Sequence, residues 1–186
     1  TPAVAPHLHV PLQSGDPGVL RAMGRGYTVG EYLDACRRAR AAIPGLNLTT
    51  DAIVGFPGED EAAFRATARV AEDLAMGKVH VFPYSPRPGT PASGRPGRVP
   101  PEELRERARR LRDLSDRLGF AHRTRRVGGE DAVLVETVHE DGSRSGLGAD
   151  YTRFVLPPGA RGPGELVPVR VAGVAGEHLR GEPLER

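Results

Sequence analysis

The sequence predicts an α/β protein: part of a TIM-type barrel carrying three parallel strands, followed by a small antiparallel β-barrel. Three observations carry this reading. Short apolar strands alternate with helix-like stretches through residues 1–100, each strand splits into a polar and an apolar face, and after Arg126 the texture changes to short strands separated by turns. The length of 186 residues suits one large domain or two small ones. The 24 Gly and 18 Pro mark a loop-rich chain, while 38% hydrophobic residues still suffice for a core.

The first strand is expected at Leu8–Leu12. Its even partners Leu8, Val10 and Leu12 share one face, and His7, His9, Pro11 and Gln13 share the other. A helix follows from Thr28: T-x-x-E with Glu31 forms a capping box, and Val29, Leu33, Cys36 and Ile43 recur at helical spacing until Pro44-Gly45. Cys36 thereby falls on a packing face. The second strand, Leu46–Val54, alternates Asn47, Thr49 and Asp51 with Leu48, Ala52 and Val54. Asp60 and Glu61 open a further helix with Phe64, Ala68, Ala71 and Leu74 or Ala75 as its stripe. The third strand, Val79–Tyr84, sets Lys78, His80, Phe82 and Tyr84 against Val79 and Val81.

An open doubly wound sheet buries both faces and reads apolar throughout, whereas a barrel has a helix-covered outer face and an inner face able to line a polar site. The repeated split therefore favours part of a barrel. Three strands cannot close one, and Thr1 opens the chain almost inside the first strand, so the chain is expected to be part of a longer protein.

Residues 85–99 form a Pro- and Gly-rich loop and linker. Pro101, Glu102 and Glu103 start a helix whose Leu104, Ala108, Leu111, Leu114 and Leu118 repeat helically, with Gly119 as the expected stop and arginines on the other faces. Strands are then expected at Ala132–His139, Ser143–Leu147, Thr152–Leu156 and Leu166–Val174, with a turn at Asp141-Gly142. The size suits a barrel of oligonucleotide-binding type. The division is thus 1–100, 101–126 and 127–186, with net charges of +2, +4 and −4.

No apolar run is long enough for a membrane span and no secretory leader is evident, so the chain is expected to be soluble and cytoplasmic. One cysteine can supply neither an internal disulfide nor the ligands of a zinc ribbon or iron–sulfur cluster. His7 and His9 on one strand are too few for a metal site and suit hydrogen bonding on the inner face.

The segment T-D-A-I-V-G-F-P-G-E-D (50–60) leaves backbone bare at a strand's C-terminal end, where barrel sites lie. Together, H-L-H-V-P-L-Q-S-G (7–15), T-D-A-I-V-G-F-P-G-E (50–59) and H-V-F-P-Y-S-P-R-P-G-T-P (80–91) resemble the radical S-adenosylmethionine (SAM) methylthiotransferases. The resemblance covers the later half of that family's radical SAM barrel and extends into a domain similar to TRAM. H-V-F-P-Y-S and L-S-D-R-L (114–118) look most like the branch that modifies N6-threonylcarbamoyladenosine beside the tRNA anticodon.

The resemblance implies a [4Fe–4S] cluster that reduces SAM, an electron donor for that cluster, and a second cluster used in methylthio transfer. The cluster cysteines are expected upstream of Thr1, leaving no catalytic or metal-binding residue in this chain, which is expected to lack turnover alone. By resemblance Gln13 and Ser14 would face the ribose or methionine end of SAM. Asp51, Ile53 and Gly55 would line its nucleoside, and Tyr84 would flank the adenine or the substrate base. From the residues alone, Gln13 and Asp51 equally suit capping of backbone, Ile53 core packing, and Tyr84 packing with a wet hydroxyl.

For the implied tRNA anticodon stem-loop, Arg87 suits a phosphate or the bracing of its own loop. The net charge of −4 on the last segment runs against a basic footprint. Phosphate contact is therefore assigned to Arg123, Arg125 and Arg126, with Arg144, Tyr151 and Arg153 as local contacts. The full-length protein is expected to be a monomer. Alternatives are the family branch acting on an aspartate of a ribosomal protein, and a non-catalytic RNA-binding module.

Overall fold

The computed structural model describes residues 4–159 and 161–184. Its contacts divide the chain into two compact units. A sheet unit holds Leu8–Pro44 and Leu48–Leu118, and a barrel unit holds the described residues of Thr1–His7, Gly45–Asn47 and Gly119–Arg186.

Three strands, β1 (His7–His9), β2 (Asn47–Val54) and β3 (Lys78–Pro83), all but their first residues His7 and Asn47 in the sheet unit, lie in the order β1-β2-β3. β2 and β3 are parallel, with Asp51 opposite His80 and Ile53 opposite Phe82. β1 stops three residues before the sequence suggests. Pro11 has no N–H to give, and side chains replace the ladder beyond it: Tyr32 Oη and Thr50 Oγ1 both donate to the Val10 carbonyl at 2.7 Å, and Leu12 N donates to Thr50 Oγ1 at 2.8 Å. A parallel bridge resumes at Gln13 and Ala52.

The expected split into faces appears from Thr50 onward, while Asn47 and Thr49 on the polar face are buried as well. Leu48, Thr50, Ala52, Val54 and Val79 are buried, whereas Asp51 and Ile53 are half-buried and His80 and Phe82 exposed.

Helix α1 (Pro17–Ala22) escaped the sequence reading although its signal is there: Asp16 caps Val19 N at 2.8 Å and Pro17 takes the first position. α2 (Val29–Ala42) has the expected Thr28–Glu31 capping box, and buries Tyr32 and Cys36. α3 (Glu61–Asp73) is capped by Asp60 and buries Ala63, Phe64, Thr67, Val70 and Ala71, while Ala68 is half-buried. A 3₁₀ turn, Pro91–Gly94, interrupts the loop after β3.

α4 runs from Pro101 to Thr124, so Gly119 lies inside the helix rather than ending it. One interior glycine costs only about 1 kcal/mol of helix propensity. The first part of α4 is built into the sheet unit. Val79 N, on the outer edge of β3, donates to Ser115 Oγ at 2.9 Å. Arg107, expected on a solvated face, is 2% exposed.

The barrel unit closes five strands, β4 (Glu130–Val138), β5 (Arg144–Leu147), β6 (Arg153–Leu156), β7 (Leu166–Ala175) and β8 (His178–Pro183), in the order β4-β5-β6-β8-β7. β8 was not foreseen, because only Leu179 in it is apolar. It changes the topology: β6 and β8 pair in parallel, so the barrel is mixed rather than antiparallel. Val133, Val135, Phe154, Leu156, Val167, Val169, Val171 and Leu179 fill the interior.

Candidate functional site

At the C-terminal end of the parallel sheet a cavity of about 460 Å³ opens among Gln13, Ile53, Phe56, Phe82, Tyr84 and Arg87, with Pro83, Ser85, Thr90 and Ala92 completing its wall. Its size falls in the ~300–1,000 Å³ range of small-molecule sites. Gln13 holds a left-handed backbone (φ 65°), fixed on both sides: its N–H donates to the Asp51 carbonyl at 2.8 Å and its carbonyl accepts from Ile53 N at 2.9 Å. Phe56 meets Tyr84 edge-on at 5.3 Å, and Tyr84 Oη donates to the Ala92 carbonyl at 2.9 Å, tying the loop after β3 over the aromatic pair.

Of the residues expected to cradle SAM, the cavity gathers Gln13, Ile53 and Tyr84. It brings Arg87 into the same wall. The other three lie elsewhere. Ser14 is fully buried, with Asp16 N donating to its Oγ at 3.2 Å and the Thr67 hydroxyl 3.5 Å away. Asp51 pairs with His9 Nε2 at 3.3 Å, and His9 Nδ1 lies 3.0 Å from Thr49 Oγ1. His80 meets the His9 ring edge-on at 5.6 Å, so this inner face is a hydrogen-bonded polar cluster.

Gly55 (φ 74°) gives its space to the protein rather than to a ligand, because a Cβ there would stand 2.3 Å from Leu104 Cδ1. Phe56, Phe82, Ser85, Thr90 and Ala92 are lining residues the sequence reading did not assign. Phe82 was legible, since it shares strand parity with His80.

Behind the cavity, Glu59 Oε1 accepts from Gly55 N at 2.9 Å and from Arg107 Nη1 at 2.8 Å. Arg107 also donates to the Glu59 carbonyl at 3.0 Å and to Glu103. Burial pushes the Glu59 carboxyl above its ordinary value against the pull of Gly55 N and Arg107.

The lining is compatible in chemistry with an adenine nucleoside: apolar side chains from Ile53, Phe56 and Tyr84, and polar ones from Gln13, Ser85 and Thr90. For a cluster the chain offers one thiol, Cys36, which is buried on α2. Among the described residues no group of three or more His, Cys, Asp or Glu is arranged to hold a metal ion.

Of the residues expected to meet RNA, all but Arg87 belong to the barrel unit. Arg126 is bound to two carboxylates, Asp150 and Asp131, the latter at 2.5 Å. Asp150 also receives His122 Nε2 at 2.8 Å and Thr152 N at 3.0 Å. Burial raises the Asp150 carboxyl, but His122, Arg126 and Thr152 overcome it and hold the group below its usual range.

Arg144 is 2% exposed and donates to the Pro157 carbonyl at 2.6 Å, so it braces a loop and offers no surface. Arg125 is exposed and Arg123 half-buried. Arg153 is exposed, 3.8 Å from Glu136. Tyr151 is 57% exposed and stacks on His7 at 4.8 Å.

Among the described residues no helix is long and apolar enough to cross a membrane. Sequence comparison matches residues 2–71 to the Radical SAM superfamily. The chain is 40% identical, over 96% of its length, to the tRNA-2-methylthio-N(6)-dimethylallyladenosine synthase of Thermobifida fusca (strain YX), covering 38% of that protein. It is 41% identical over 96% of its length to the synthase of the same name from Mycolicibacterium gilvum (strain PYR-GCK), covering 37% of it. To the one from Tropheryma whipplei (strain Twist) it is 44% identical over 73% of its length, covering 29% of it.

The chain thus spans well under half the length of these curated relatives. Their names overturn the threonylcarbamoyladenosine branch, which rested on two runs of five or six residues, too short to separate branches sharing the same barrel blocks. Residues 2–71 match the Radical SAM superfamily, and almost the whole chain is similar to synthases named for 2-methylthio-N(6)-dimethylallyladenosine in tRNA.

Proposed function

We propose that this chain forms part of a radical SAM tRNA methylthiotransferase acting on N6-dimethylallyladenosine. In this reading the cavity at the end of β2 and β3 takes the nucleoside part of SAM, with Ile53 against the adenine and Tyr84 at its edge. Gln13 offers polar contact from its strained, hydrogen-bonded backbone. Arg87, in the same wall, carries the positive charge that pairs with a carboxylate or phosphate. The closed barrel serves as a TRAM-like RNA-contact domain, with Arg123, Arg125 and Arg153 toward the tRNA anticodon stem-loop. [4Fe–4S] clusters, when bound through ligands outside this chain, would supply the radical and sulfur chemistry, and an electron donor would reduce them.

The observation that carries this reading is the convergence of Gln13, Ile53 and Tyr84, from three separate segments, on one cavity. It is tested by titrating the chain with SAM, its folding checked by circular dichroism. Saturable binding is expected, weakened about tenfold or more by Ile53→Glu or Tyr84→Ala, since each removes apolar contact worth a kcal/mol or more. Affinity unchanged from that of the parent in both variants would refute the placement.

A further inference from the structure

Among the described non-glycine residues, three have a left-handed backbone: Gln13, Ala75 and Tyr151. Ala75 follows the last turn of α3, the usual place for such a residue. Gln13 lines the cavity. Tyr151 sits in the hairpin that joins β5 to β6, where Tyr151 N donates to the Gly148 carbonyl at 3.0 Å and Gly148 N to the Thr152 carbonyl at 2.9 Å. Such a hairpin asks for one left-handed residue, and glycine or asparagine meets that demand without strain. Here a bulky aromatic stands at φ 64°.

Everything beneath Tyr151 holds this conformation. Asp150, 3% exposed, is fixed by Arg126, His122 and Thr152 N, and its carbonyl accepts from Asn47 Nδ2 at 3.0 Å. Strained residues that survive because their surroundings over-determine them concentrate at functional sites. The Tyr151 ring is not used for packing the core: it is 57% exposed, with one face on the His7 ring at an interplanar angle of 24°. The last turn of α4 and the turn after it, which give His122 and Arg126 to Asp150, also hold Arg123 and Arg125, and Arg153 follows Tyr151 by two residues. An exposed aromatic ring with a second ring stacked beneath it is the arrangement on which unpaired bases stack.

We propose that the Tyr151–His7 pair is a stacking platform for one unpaired nucleobase of a bound RNA loop. This rests on the tRNA reading above and adds the site and the chemistry of contact. The sequence contains no tryptophan, so Tyr151→Trp introduces a single reporter. The probes are a hairpin RNA with an unpaired loop and a fully paired duplex of equal length.

Tyr151→Ala is expected to weaken loop binding about ten- to a hundredfold, the worth of one stacked base. The salt dependence should stay unchanged, because no charge is altered. Tyr151→Trp should bind as the parent does, its emission quenched by the loop RNA and not by the duplex. Tyr151→Gly separates display from architecture: relieved of strain, it should fold at least as stably as the parent while binding as weakly as the alanine variant.

Parental binding by the alanine and glycine variants, or an unchanged tryptophan signal at saturation, overturns the platform and leaves the tRNA reading standing. A parent chain that binds neither RNA overturns both.

Discussion

Two buried carboxylates, one in each unit, each take an arginine and end with opposite acidities. Glu59 in the sheet unit receives Arg107 and one backbone N–H, all through Oε1, and its buried Oε2 has no hydrogen-bond partner. Asp150 in the barrel unit receives Arg126, His122 and Thr152 N across both oxygens. Burial raises both groups. It wins at Glu59, where half the carboxylate is unserved, and loses at Asp150, where donors serve each oxygen. What decides the sign is how many donors meet each lone pair, not the presence of an arginine.

The comparison breaks most visibly if Arg107 is removed. Arg107→Ala strips the buried Glu59 of its charge partner, and is expected to cost about 4 kcal/mol in urea unfolding; joint replacement of Arg107 by Met and Glu59 by Leu should recover most of that loss. An equal loss in the single and double variants would show that packing, not charge, is at stake.

Next in size is Gly55→Ala, which places a Cβ against Leu104 in a left-handed backbone and is expected to cost about 2 kcal/mol. Because Gly55 N serves Glu59, the substitution should also speed hydrogen exchange at the Gly58 and Glu59 amides.

The smallest effect lies in acid. The folded value of Asp150 is below its ordinary 3.8, so its contribution is complete above that value and is lost as pH falls through the lower folded one. The folded value of Glu59 is above its ordinary 4.5, so its contribution is complete below 4.5 and declines as pH rises through the higher one. Acidification thus acts on the two groups in opposite directions. Asp150→Asn should flatten the loss of stability below about pH 4, and Glu59→Gln should remove the gain in stability that acidification brings on the way down to pH 4.5; identical pH profiles in both variants would contradict the assignments.

Much of the sheet unit was legible because its signals are local. Strand parity separated Asp51 and His80 from Ala52 and Val79, and the capping box at Thr28 fixed the start of α2. What stayed hidden depends on partners far along the chain. Arg107 reads as one arginine among many until Glu59, 48 residues earlier, is folded against it. Ser14 reads as a loop hydroxyl until Thr67 and Asp16 enclose it, and Gly55 as an open strand end until Leu104 fills it. In the barrel unit Arg126 and Arg144 share the sequence texture of surface arginines, yet carboxylates and carbonyls on other strands and turns take up their charge. β8 hid for a different reason: a polar strand at a barrel's closure is specified by the two strands it joins.

That closure has a consequence for how the protein is made. β8 pairs with β6 on one side and β7 on the other, so until residues 178–183 leave the ribosome both neighbours present unpaired edges, which invite association with other chains. A nascent chain stalled or clipped before His178 would therefore be an aggregation hazard, and prompt emergence of that last strand serves solubility before it serves any recognition.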